Sequence, residues 1–245
     1  MEKRLEILTI KKAMKDNKNK KIGGVGPQAS SYLYDKIMKL AQEKHHAKNN
    51  HEFPELILYS IPVPDFISNK ERISEAMEMF ENVIKDFNKI NVNYITIASN
   101  TVHLLLDDFQ KISNAKFISM IDAVFEQVKN DSRTKIGLLS SPMTIESNLY
   151  KKYAEKENIE LLYPLSDDLR KVESMIRAII SGTNNREELK RDYIQVTQKL
   201  FDQAAEAIIL GCTELPLAIN YEAINHKIYN SMDILAEKIT DIYYQ

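Results

Sequence analysis

The chain has 245 residues, 44% hydrophobic and 28% charged, near globular averages and long enough for two lobes or one large α/β unit. Its 33 basic and 35 acidic residues leave a net charge of −2, which gives no support to non-specific nucleic-acid binding, and no apolar run reaches the roughly 18–20 residues of a membrane span. A single cysteine excludes an intramolecular disulfide and zinc sites built on several thiolates. With no apolar signal-like stretch near Met1, the expected location is the reducing cytoplasm.

The first 21 residues carry eight Lys/Arg and three acids, and Lys15–Lys21 (KDNKNKK) is too polar to bury, so this segment reads as a solvated basic arm. Next comes a glycine-rich turn, Gly23-Gly-Val-Gly-Pro-Gln-Ala29. It formally fits the dinucleotide fingerprint, but Pro27 interrupts it and no acidic residue ends a second strand at the required distance. A tight turn into a helix, its backbone amides facing some other ligand, is the better reading. His45, His46 and His51 lie among lysines and asparagines, a solvated connection rather than a metal site, which would sit on a rigid element.

From there the chain alternates between two periods. Short β-rich runs are predicted at Leu56–Ser60, Tyr94–Ala98, Lys135–Leu139 and Ala207–Leu210, each bounded by turn residues or a change of pattern. Between them lie apolar stripes at helical spacing. The longest is Ile73, Ala76, Met77, Phe80, Val83, Ile84, Phe87 and Ile90; a second is Val172, Met175, Ile176, Ile179 and Ile180; a third is Leu235, Ala236, Ile239, Ile242 and Tyr243. Ser141-Pro142 marks a helix start, a hydroxyl to cap orphan amides followed by the imino acid that suits the first helical position. Strand and helix in alternation imply a parallel sheet covered on both faces, with ligands at the carboxyl ends of the strands.

Two strand ends resemble each other. Ile95-Thr-Ile-Ala-Ser-Asn-Thr101 and Ile208-Ile-Leu-Gly-Cys-Thr-Glu214 each end an apolar run in small polar residues, Ser99 and Cys212 lying 113 positions apart. This predicts two related lobes, each presenting a nucleophilic side chain where a strand gives way to a helix. The expected domains are the basic segment 1–21, a first lobe of 22–115 plus 220–245, and a second lobe of 116–219. A lone cysteine is most often a small buried hydrophobe, but Thr213 and Glu214 suit a first helical turn, and a thiol at a helix N-terminus is expected to lose its proton more readily than a free one. A Cys-His protease is poorly supported, because nothing in the sequence places His103 beside the sulfur.

Three segments in order, Gly23-Gly-Val-Gly-Pro27, Ser99-Asn-Thr-Val-His103 and Gly211-Cys-Thr-Glu-Leu-Pro216, resemble the signatures of the aspartate/glutamate racemase family. The similarity runs from Lys21 to about Tyr243 and includes Leu138–Ser147 and Asn230–Ala236. It implies an α/β fold of two pseudo-symmetric lobes, each a parallel sheet flanked by helices, with the active site in the cleft between them. It also implies no cofactor, neither pyridoxal phosphate nor a metal, and a small amino-acid substrate with no nucleic-acid or membrane partner. A homodimer is implied as well, because relatives are commonly dimers. One residue would remove the α-proton while another delivers a proton to the opposite face, and the matching positions are Ser99 and Cys212. Asn100, Thr101, Thr213, Gly26 and Gln28 are carried over as substrate contacts, and Arg170 in Ser166-Asp-Asp-Leu-Arg170 as the basic reader of a side-chain carboxylate.

The chain departs from the family pattern in three places. Ser99 stands where most members have cysteine, and a serine hydroxyl is a far weaker acid than a thiol, so its conjugate base is scarce at neutral pH. It is either natural, as with relatives that have threonine there and favour one enantiomer, or the product of a Cys→Ser substitution. Phe66 stands where a carboxylate-binding arginine would be. The strand before the glycine turn is cut to Lys21-Ile22, with Leu5–Ile10 as a possible replacement. The function expected is therefore interconversion of L- and D-aspartate or glutamate by two-base proton transfer, one-sided or impaired by Ser99. The alternatives are a one-cysteine arylmalonate-type decarboxylase and a catalytically silent amino-acid-binding protein.

Overall fold

The computed structural model describes residues 27–59, 61, 63–64, 72–183, 185–221 and 225–245. The basic arm, the glycine turn with Gly26, and Phe66 lie outside the described residues. The chain divides into two compact units. One extends to Met120 and takes back Leu235–Gln245, and the other is Ile121–Ile234. Residues 220–234, which the sequence reading joins to the first lobe, fall by contact in the second unit.

In the first unit, helix α1 (Pro27–Glu43) opens on the proline of the glycine turn, where a missing N–H costs nothing. Helix α2 (Ile73–Lys89) follows the longest apolar stripe and buries Ala76, Phe80, Val83, Ile84 and Phe87. Each large apolar side chain taken out of water on that face contributes about 1.5–3 kcal/mol. The stripe outlasts the helix, for Ile90 is its C-cap and is 45% exposed. The predicted strand at Leu56–Ser60 differs from what forms: residues 56–59 have no regular secondary structure and no sheet pairing, and Ser60 lies outside the described residues. Strand β1 is also shorter than predicted, Tyr94–Ile95, and pairs in parallel with β2 (Lys116–Phe117). Between them the chain makes a 3-10 turn at Thr101–Leu105 and helix α3 (Leu106–Ile112). The ladder is extended by side chain and backbone, with Thr96 Oγ1 donating to the Ile118 carbonyl at 2.7 Å and the Ile118 amide donating to the Ile95 carbonyl at 2.8 Å. Ile95, Ile97, Val102, Phe109 and Phe117 close the core against α2.

The second unit opens with α4 (Met120–Asn130), which begins on the last residue of the first. Its sheet has four parallel strands in the order β4 (Glu160–Leu162), β3 (Lys135–Ser140), β5 (Ala207–Gly211), β6 (Ile228–Asn230). The central pair is apolar on both faces, as a covered parallel sheet requires. Close approach is built in at two glycines. A Cβ on Gly137 would stand 2.4 Å from Ile208 Cδ1, and one on Gly211 would stand 2.8 Å from Leu138 Cδ1. Helix α5 (Pro142–Glu146) starts as read, with Ser141 Oγ accepting from the Thr144 amide at 3.4 Å and Pro142 in the first turn. Helix α6 (Leu149–Lys156) leads to β4. Helix α7 (Ser166–Ser181) buries Val172, Met175, Ile176 and Ile179, leaves Ile180 exposed, and stops at Gly182, whose φ of +70° suits a residue without a Cβ. Helices α8 (Arg186–Asp202), α9 (Leu215–Ala218) and α10 (Ser231–Tyr244) complete the chain. The third apolar stripe lies on α10, where Leu235, Ala236, Ile239 and Tyr243 are buried. Among the described residues no helix is long and apolar enough to cross a membrane.

Candidate active site

The carboxyl ends of the parallel strands collect small polar side chains in both units. In the second unit, β5 ends at Gly211, and Ser140 at the end of β3 lies in register with it. Cys212, one residue on, is 7% exposed, and Thr213 is 4% exposed. Both turn onto one carboxylate oxygen. Cys212 Sγ donates to Glu214 Oε2 at 3.0 Å, and Thr213 Oγ1 donates to the same oxygen at 2.9 Å. Ser231 Oγ donates to the Leu210 carbonyl at 2.8 Å, fixing the end of β6 against that of β5. Asn230 is held on both sides of its amide: Oδ1 accepts from the Met232 amide and Nδ2 donates to the Tyr221 hydroxyl, which donates to Asp233. Tyr150 is fully buried beside Ser231 and Cys212, and burial, followed by the charge of a Cys212 thiolate, pushes its phenol well up.

The expectation of an easily ionised Cys212 is overturned here. Burial, then the charge of Glu214 and the hydrogen bond to it, raises the thiol well above its ordinary value, and the amides of Glu214 and Leu215 offset this only in part. The physical reason is twofold. The helix that follows, α9, has four residues and therefore a small dipole, and Glu214 folds back so that the nearest full charge is negative. The resting group is a thiol already bonded to a carboxylate that can take its proton.

In the first unit, Ser99 lies four residues past the end of β1 and is half-buried, and Asn100 is 3% exposed at the N-cap position of the 3-10 turn that Thr101 begins. His103 is 4% exposed; its Nδ1 lies 2.7 Å from the Ser99 carbonyl and its Nε2 accepts from the Met120 amide at 3.0 Å.

Ser99, Asn100 and Thr101 are thus gathered at one strand end, and Cys212 and Thr213 at another. Gln28 is exposed on the first turn of α1. Arg170 lies on α7 with its side chain 72% exposed and paired to Asp167 one turn earlier. Its neighbour Asp168 is the buried member of that segment, bonded through both oxygens to Lys199 at 2.8 Å. A cavity of about 400 Å³ flanks α9, lined by Arg186, Glu187 and Lys190 of α8 and by Pro216–Asn220. Among the described residues no group of three His, Cys, Asp or Glu could hold a metal ion. Sequence reading gives Glu214 only as a helix-start residue and assigns no site role to Ser140, Tyr150, Asn230 or Ser231. The signal for Ser140, Asn230 and Ser231 is the small polar residues at the ends of β3 and β6, whereas Tyr150, on α6, has no such local signal.

The family model for Asp/Glu/hydantoin racemases matches residues 22–239. The broad specificity amino-acid racemase RacX of Bacillus subtilis is 21% identical over 222 residues, covering 91% of this chain and 96% of that protein. An aspartate racemase homologue from Pyrococcus horikoshii superposes with a TM-score of 0.75 at 29% identity, over 92% of this chain and all of the other. An aspartate racemase from Picrophilus torridus shares the fold, with a TM-score of 0.75 at 24% identity over 91% of this chain and 93% of that one. With parallel sheets flanked by helices, a thiol and a hydroxyl each set at a strand end, and a family match across most of its length, the chain belongs to the Asp/Glu/hydantoin racemase family and is an amino-acid racemase.

Proposed function

We propose that the chain interconverts the L and D forms of an acidic amino acid, aspartate or glutamate, without a cofactor, by passing the α-proton between Cys212 and Ser99. The observation that carries this reading is the buried Cys212 thiol donating to Glu214 at 3.0 Å. Aspartate and glutamate racemases among the relatives support the acidic substrate.

In this mechanism the substrate ammonium offsets the local negative charge, Glu214 takes the thiol proton, and the thiolate removes the α-proton. The C–H bond breaks, an S–H bond forms, and the electron pair spreads from the α-carbon into the substrate carboxylate. Asn100, Thr101, Thr213 and strand-end amides are the donors proposed for that developing charge, the kind of fixed dipole that stabilises a carbanion without reorganising. Ser99 Oγ–H then delivers its proton to the opposite face. Solvent reprotonates the Ser99 alkoxide and removes the proton from Glu214, which restores the starting state.

Proton delivery by Ser99 to a carbanion is downhill, whereas its alkoxide is scarce as a base at neutral pH. The two enantiomers have equal free energy in water, so kcat/KM for net inversion is the same in both directions. The asymmetry appears instead in α-proton exchange, which is faster for the enantiomer whose proton faces Cys212.

Incubation with L- and then D-aspartate or glutamate in heavy water tests the reading. A racemase exchanges and inverts, and Cys212→Ala removes both while the fold persists. Exchange without inversion indicates a one-base enzyme of the decarboxylase type, and neither process indicates a binding protein. Undiminished exchange in Cys212→Ala overturns the mechanism.

A further inference from the structure

His103 comes from the same signature as Ser99, yet the proton transfer above gives it no part. It is buried, and both ring nitrogens are engaged. A backbone amide can only donate, so the Met120 N–H at 3.0 Å makes Nε2 an acceptor. The proton of the ring therefore sits on Nδ1, which donates to the Ser99 carbonyl at 2.7 Å. The ring thus joins the segments that leave two neighbouring parallel strands. One contact is the carbonyl of Ser99, four residues past β1, the other the first amide of α4, three residues past β2. The β2 side of this link is itself anchored, because Ile118 bonds to both Thr96 and Ile95. The His103 amide donates to the Asn100 carbonyl at 3.0 Å, so the turn through Ser99, Asn100 and Thr101 closes on His103 from both backbone and side chain.

We propose that His103 is the positioning residue of Ser99: one imidazole tautomer, held by the Met120 amide, pulls the Ser99 carbonyl into place and so sets the direction in which the Ser99 hydroxyl presents its proton. This rests on Ser99 acting as one of the two proton-transfer groups. His103 touches no reacting atom and acts through the backbone of the residue that does. Proton transfer tolerates little misplacement, and an error near 1 Å costs up to about a hundredfold. The effect falls on the Ser99 step alone, because Cys212, Thr213 and Glu214 sit in the other unit.

The experiment compares His103→Asn, His103→Gln and His103→Ala with the unmodified chain in heavy water, measuring α-proton exchange and inversion separately. An asparagine nitrogen stands close to the position of Nδ1 and can still donate to the Ser99 carbonyl, whereas a glutamine mimics the Nε2 side. The expected result is that His103→Ala and His103→Gln invert at least about tenfold more slowly, while exchange from the enantiomer facing Cys212 stays within about threefold. His103→Asn recovers most of the inversion, even where its melting temperature is as low as that of the other two. Exchange and inversion falling in equal proportion, inversion tracking melting temperature across the three variants, or no change in either rate overturns the positioning role. An unmodified chain that neither exchanges nor inverts overturns the proposed function instead, and the role of His103 with it.

Discussion

Replacing Glu214 with glutamine separates the readiness of Cys212 to ionise from its ability to do chemistry. In the structure the thiol sulfur and the carboxylate oxygen are 3.0 Å apart. Two unit charges at that distance repel by about 1.4 kcal/mol even in bulk water, and by about four times more at the effective dielectric of a protein surface. Glutamine keeps the shape and removes the charge, so below the titration of the thiol the thiolate population at fixed pH rises at least about tenfold. The sign is firm: the charge of Glu214 opposes the thiolate, its loss favours the thiolate, and the thiol titrates at lower pH in the variant. A less basic thiolate is also a weaker nucleophile, with a sensitivity of about 0.4–0.5, so the rate with a small aromatic disulfide should rise only about threefold or more. Because the chain has one cysteine, a single mixed disulfide in the intact mass reports this site. α-Proton exchange should not rise with it, because deuterium wash-in also needs the abstracted proton to leave the sulfur for solvent, and the variant has no carboxylate beside it to relay that proton. Reactivity rising while exchange does not is the expected pair of results. Disulfide reactivity that is unchanged or lower in Glu214→Gln would refute the assignment of Glu214 as the charge that holds the thiol protonated.

Ser99→Cys should raise exchange from the enantiomer facing residue 99 by at least about tenfold, equivalent to about 1.4 kcal/mol of barrier, measured as deuterium wash-in; equal exchange from both enantiomers in the unmodified chain counts against the one-sided mechanism. Arg170→Ala should leave kcat/KM for aspartate or glutamate within about twofold, because the side chain is 72% exposed and already paired with Asp167; a selective loss of tenfold or more for the acidic substrate over a neutral one would assign the arginine to the side-chain carboxylate. Gly211→Ala should lower the melting temperature by about 2 °C or more and slow exchange, because the added methyl meets Ser140 Cβ at 3.2 Å and the buried Tyr150 ring at 3.3 Å in the packing next to Cys212, an overpacking cost of about 1–3 kcal/mol. Wild-type melting would show that the strand ends can spread.

The parts legible in the sequence are those governed by local periodicity and local chemistry. The stripe from Ile73 to Phe87 marks one face of a helix whatever it packs on, and α2 takes that course. The unbroken apolar runs of β3 and β5 require a sheet covered on both faces, and Ser141-Pro142 specifies a capped helix start from two adjacent residues. The strand-end positions of Ser99 and Cys212 follow in the same way, since each lies where an apolar run meets small polar residues. Pairing was not legible, because it depends on partners far along the chain. Residues 56–59 have strand composition and no sheet partner, whereas β6 has only three residues and exists because Ile208–Leu210 lie beside it. The ionisation of Cys212 belongs to the same class. Its neighbours in sequence suggest a helix dipole that favours a thiolate, but desolvation and a carboxylate at 3.0 Å come from how the chain folds around the sulfur. Periodicity and capping act over one or two turns and can be read from the chain, whereas burial and the approach of charges act through space and are decided only when distant segments meet.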